Sequence, residues 1–231
     1  MPFTLAHPAA VLPIRRMLWF PGLVAGSIAP DIPYYLWIGV DGELTHALRG
    51  LPVDVLLGAI LVAIGWALRG TVSGMIGKEI TASRPGPVAA VAALLIGALT
   101  HLAWDAFTHT DGPAVRHWDV LRESVIGPHR VYNMIGYISS IGGMLLLAGY
   151  FAAWYRRARP VAPDPRRALV LAALLAVAVL AGLVARTDPV AHVSLYDCVR
   201  HVLIYAITSA ATVFGVCALV YTAASAVRGH R

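Results

Sequence analysis

The sequence predicts an all-α integral membrane protein, an integral membrane helical bundle of about six transmembrane helices forming one domain over residues 1–231. Three observations predict it. Hydrophobic residues fill 58% of the positions and charged residues only 13%, where a soluble domain carries about 25% charge. Mean hydropathy is +0.71. The apolar residues gather into six runs, at about 17–38, 51–68, 87–107, 131–155, 167–185 and 201–224. Each approaches the ~20 residues that carry a helix across a bilayer. A lipid-embedded backbone must satisfy its own polar groups, which favours helices.

The first run is broken by Pro21, Pro30 and Pro33. Two courses are open for it: a span, or a re-entrant helix pair in which residues 4–16 turn back through 17–21. Arg15-Arg16 followed by Met17–Gly26 also imitates a signal peptide, with small residues at Ser27-Ile28-Ala29. Pro30 just after the cut disfavours cleavage, so an uncleaved segment is expected. The second run is the shortest. The third ends in His101-Leu102-Ala103-Trp104-Asp105. The fourth and fifth are plain apolar runs, and the sixth contains Cys217. Cys198 and Cys217 fit no metal or disulfide pattern, and Cys217 reads as a packing residue. Linkers are short, and no internal repeat is visible.

With the region before residue 17 placed in the cytoplasm, Lys and Arg divide twelve to six between the two sides. The larger group includes Arg15, Arg16, Arg156, Arg157, Arg228 and Arg231. The positive-inside rule then favours both termini in the cytoplasm and six spans. The formal charge of +6 is distributed as membrane flanks, which speaks against nucleic acid as a partner. The Ala, Arg, Gly and Pro bias points to a bacterial cell, hence its inner membrane.

In this orientation Asp31, His46, His101 and Asp105 converge on the outer face. His101 and Asp105 lie four apart on one helix face, with Thr108 nearly in line and Gly97 one turn earlier. Ionisable groups at membrane depth are expensive and usually mark a function. The structural alternative is a hydrogen-bonded pair that joins helices. Asp31 lies between Pro30 and Pro33, where the helix weakens and carbonyls are freed. His46 stands in a short loop tethered to Asp31. His7 reaches the same height only if the first segment turns back, and otherwise stays on the cytoplasmic side. His109 and the Asp197/His201 pair are looser candidates. His117, Asp119, His129 and His192 read as solvated loop residues.

The stretches Met1–Ala10, Ser27–Asp31, Thr45-His46, Gly97–Asp105 and Thr108-His109 resemble an uncharacterised bacterial multi-pass membrane family, domain of unknown function 4184. The ordered set His, Asp, His, His-x3-Asp is also similar to the motif of membrane-bound metal-dependent hydrolases grouped with zinc-dependent phospholipase C proteins. That resemblance implies His7, Asp31, His46, His101 and Asp105 as metal-site positions.

Mixed His and Asp donors suit zinc, with manganese or iron as second choices. The expectation is metal-assisted hydrolysis of a phospholipid or lipid-linked phosphate near the outer leaflet, with a metal-activated water as nucleophile and Asp31 or Asp105 as general base. The lipid bilayer is the expected surrounding, and the sequence is silent on oligomeric state. The rival expectation is a non-catalytic membrane protein, either a small ion or proton transporter or an accessory subunit, that uses the same cluster for ion binding or packing.

Overall fold

A computed structural model describes residues 3–36, 38–81, 83–193 and 195–229. Met1 and Pro2 of the family-like N-terminal stretch, Trp37 of the first apolar run, and Arg231 of the charge count lie outside the described residues, as does the side chain of Arg228. The fold is all-α and of the membrane type. Five helical stretches among the described residues are long and apolar enough to cross a bilayer: Leu48–Ile76, Pro87–His117, Val131–Arg157, Arg167–Ala185 and Asp197–Val220.

Among the described residues, the first of the six runs forms no long helix. α1 covers Phe20–Ile28, a 3-10 turn covers Ala29–Asp31, and α2 covers only Ile32–Tyr35. Pro30 and Pro33 supply no N–H and break the ladder. Ahead of α1, Thr4–Val11 form a 3-10 helix, longer than the three or four residues usual for that form. A run of turns follows, with Ile14 N bonded to Val11 O and Leu18 N to Ile14 O. The arm thereby folds back beside α1, and Val11, Leu23 and Ala93 share one buried cluster.

The chain divides by contacts into two compact units. The first comprises Met1–Ile64 and Thr81–Arg157. Its centre is the packing of α1 against α5 (Pro87–Thr108). Glycines let the two backbones touch. A Cβ at Gly26 would stand 2.1 Å from Leu94 O, and one at Gly97 would stand 2.3 Å from Leu23 O. Small residues at such crossings are the usual route to close helix approach in membranes. Between α2 and α4 lies the short α3 (Gly42–Thr45), capped by Asp41, whose carboxylate accepts from Glu43 N. The N-terminal part of α4 (Leu51–Ile76) packs Leu57 on Ala29 and Ile32. α6 (Pro113–His117) and a two-stranded hairpin, β1 (Ser124–Ile126) with β2 (His129–Arg130), lead into α7 (Val131–Arg157). Gly127 turns the hairpin at φ +53°. α7 holds the N-terminal arm: Phe3 N donates to Ser140 Oγ at 2.9 Å, and Gly143 lies against Ala6.

The second unit comprises Gly65–Ile80 and Ala158–Arg231. Here α8 (Arg167–Ala185) packs on α9 (Leu195–Gly229), with Gly182 facing Val202. Residues after α4 pair with the segment before α8, through Glu79 N to Arg159 O.

Candidate metal centre

The centre lies wholly in the first unit. Asp31 comes from the break after α1, His46 from the residue that ends α3, and His101 and Asp105 from one face of α5. Asp31 and His101 are fully buried, Asp105 is 4% exposed, and His46 is partly buried. One ligand atom from each of the four lies within 4.8 Å of the others. His46 Nε2 stands 3.2 Å from Asp31 Oδ1 and 3.5 Å from Asp105 Oδ2. His101 Nε2 stands 3.6 Å and 3.5 Å from the same two oxygens. The two Nε2 atoms are 3.3 Å apart.

The outer contacts set the chemistry of these atoms. His101 Nδ1 lies 2.8 Å from Ser27 O, and His46 Nδ1 lies 2.9 Å from Gly42 O. A carbonyl only accepts, so each Nδ1 carries a proton and each ring turns its Nε2 inward, where it can offer a lone pair to a metal ion. Thr4 Oγ1 donates to Asp31 Oδ2 at 2.5 Å, which leaves Oδ1 for the centre. Thr45 Oγ1 donates to Pro30 O at 2.8 Å and ties the His46 turn to the helix break. Two imidazole nitrogens and two carboxylate oxygens thus face one point, where a metal ion or added protons balance the carboxylate charge. Four ligands at about 2 Å from one tetrahedral ion lie about 3.3 Å apart. The five separations above, 3.2 to 3.6 Å, fit that figure. This buried Asp/His/His/Asp group can hold a metal ion.

His7 is buried, stacked on His101 with ring centroids 3.8 Å apart, and its Nε2 lies 3.7 Å from Asp105 Oδ1. Neither ring nitrogen has a hydrogen-bond partner among the described residues. Burial, with His101 alongside, pulls its pKa down to about 4, so the ring is neutral at pH 7. Burial also disfavours the charged form of His46, but the Asp105 and Asp31 carboxylates outweigh it and push that pKa up to about 10. In the metal-free protein the extra proton on His46 is the cation that the carboxylates hold.

A cavity of about 640 Å³ opens on the centre and is lined by His46 and Asp105 together with Tyr34, Glu43, His109 and Arg116.

Residues 1–226 match the family described as Domain of unknown function (DUF4184). This chain is a DUF4184 protein. No curated protein and no solved structure matches it. In this DUF4184 chain all five residues singled out from the sequence come together, His7 included, because the arm before α1 turns back. His109 lines the cavity rather than the centre. His201 pairs with Asp188 at 3.3 Å, in the second unit. Asp119 pairs with Arg122, and His129 Nδ1 lies 3.1 Å from Tyr137 Oη. Sequence reasoning missed Asp54, a fully buried carboxylate in α4. Its signal was present: one acid inside the apolar run 51–68. It also passed over the bond from Thr4 to Asp31, which joins residues 27 apart and leaves no periodic trace.

Proposed function

We propose that this DUF4184 protein is a membrane-embedded, metal-dependent hydrolase of a phosphate ester, acting on a phospholipid or lipid-linked phosphate near the outer leaflet. The observation that carries the reading is the inward-facing His/Asp set with a cavity on one side of it. Zinc is the first choice of metal, since the donors and their spacing suit a compact tetrahedral ion, and manganese or iron follow. A divalent ion held there supplies Lewis acidity toward a phosphoryl oxygen and toward water. Asp31, His46, His101 and Asp105 are its ligands, with His7 behind Asp105.

The two carboxylates divide the work. Asp31 Oδ2 is taken by Thr4, and Asp31 does not line the cavity, so its role is to hold the ion. Asp105 lines the cavity, and its Oδ1 lies away from the two Nε2 atoms, toward His7 and Thr108. Asp105 is therefore the proton acceptor of the pair, and neutral His7 packs beside that oxygen. The cavity is of the size that ordinary small-ligand sites have. It fits a polar headgroup, while acyl or isoprenoid chains stay outside.

A second reading rests on one specific observation. Four side chains already offer four ligand atoms, and closed four-ligand sets are typical of structural ions. On that reading the protein is a non-catalytic membrane protein held together, or gated, by its ion. One experiment separates the two. Metal content is measured on detergent-purified protein and on His101→Ala/Asp105→Ala, and both are assayed against phospholipid and lipid-phosphate substrates. Stoichiometric metal with hydrolysis, both lost in the double variant, supports the hydrolase. Metal without hydrolysis supports the second reading. No metal in folded wild type overturns both.

A further inference from the structure

The group that the centre leaves unexplained is Asp54. It is fully buried, and neither carboxylate oxygen has a hydrogen-bond partner among the described residues. It lies in α4, within the span Leu48–Ile76. An unsatisfied carboxylate buried in this way is costly to folding. Position says what it serves. Asp54 and Gly58 are four apart and share a helix face. A Cβ at Gly58 would meet the Leu94 side chain at 2.8 Å and the Ala25 and Gly26 backbone at 3.5 Å. That face therefore looks onto the α1–α5 junction, where the carbonyl of Ser27 holds His101. The neighbouring Leu57 packs on Ala29 and Ile32, beside Asp31.

We propose that Asp54 is a positioning residue of the metal centre, a carboxylate outside the ligand set whose negative charge strengthens metal binding from the α4 side of the helix break that carries Asp31. This rests on the metal reading of the centre and adds a residue to it. Partners hydrogen-bonded to a metal's ligands commonly change its affinity about 10- to 100-fold when removed, and a charge that bonds to none of them belongs at the lower end. The rival explanation is local: an acid in the first turn of α4 favours the helix dipole.

The two accounts differ in sign. A locally stabilising Asp54 makes the metal-free protein less stable when it is replaced. A carboxylate kept for the metal does the reverse, since an apolar side chain removes its burial cost. The test compares wild type, Asp54→Asn and Asp54→Leu in detergent, reading zinc affinity by chelator competition and metal-free thermal midpoint under chelator. Expected is a loss of zinc affinity of about tenfold in Asp54→Asn, and a raised metal-free midpoint in Asp54→Leu with affinity lowered as well. Unchanged zinc affinity in Asp54→Asn overturns the proposal while the metal centre stands. A lowered metal-free midpoint in Asp54→Leu, or failure of both variants to fold, assigns Asp54 to the helix and overturns it too. Wild type that binds no zinc overturns the proposal and the metal reading together.

Discussion

Thr4 bridges the N-terminal arm and the centre by giving its hydroxyl proton to Asp31 Oδ2, with Tyr35 Oη against the same hydroxyl. Thr4→Val keeps the shape and deletes the bond. The expected outcome is a folded protein whose metal affinity falls about tenfold, read by chelator competition. His46 sets the pH response. Its pKa in the folded, metal-free protein is raised to about 10 from 6.5. The stability this contributes is complete below pH 6.5 and is lost as pH rises through about 10. The metal-free thermal midpoint should therefore fall across that window, and His46→Gln should flatten the slope. A metal ion must displace the same proton, so metal affinity should rise about tenfold per pH unit through neutrality. A pH-independent affinity would mean that His46 does not bind the ion.

At the scale of elements, the contact of α1 with α5 is what brings Ser27 O to His101. It depends on Gly26 and Gly97, where a side chain has no room. Gly97→Ala should cost about 1–3 kcal/mol and shift His101 with α1, so thermal stability and metal retention should fall together. Gly65 on α4, with nothing within 4 Å of its Cβ position, is the control and should tolerate Ala. The Gly97 requirement is partly legible in the sequence, since a small residue one turn before His101 announces a close neighbour. Its partner Gly26 is not, because nothing in the order of residues says which two helices meet. The prolines at 30 and 33 were legible as a break. The consequence of that break, five membrane-length helices among the described residues rather than six, depended on how far α1 and α2 extend on either side.

For the whole molecule, the centre joins pieces far apart in the chain: the arm at His7, the break at Asp31, the turn at His46 and the face of α5. An ion held there by Asp31, His46, His101 and Asp105, as proposed, would stabilise only the folded state. At a free concentration of 100 times Kd it should add about 2.7 kcal/mol, and chelator should lower the thermal midpoint accordingly. His7 is the most local handle on this coupling. Its arm is held by Thr4, by the bond from Phe3 N to Ser140 and by the stack on His101. Chelation should therefore raise protease cleavage within residues 3–18 before it affects α5, as mapped by mass spectrometry. Equal protection with and without chelator would separate the arm from the ion.

The sequence by itself determined the class of the protein, because hydropathy and charge depletion are sums over local composition and need no knowledge of contacts. It also determined the pair His101 and Asp105, since a helix places residues four apart on one face whatever surrounds it. It left two courses for the first segment and two sides for His7. Only the tertiary structure decided these, because the turn through residues 12–18 is held by packing of Val11 and Leu23 against Ala93, contacts between residues that no local pattern links. Asp54 belongs to the same class: its residue type was visible as one acid in an apolar run, but its meaning came from the helix face that Gly58 turns toward the α1–α5 junction.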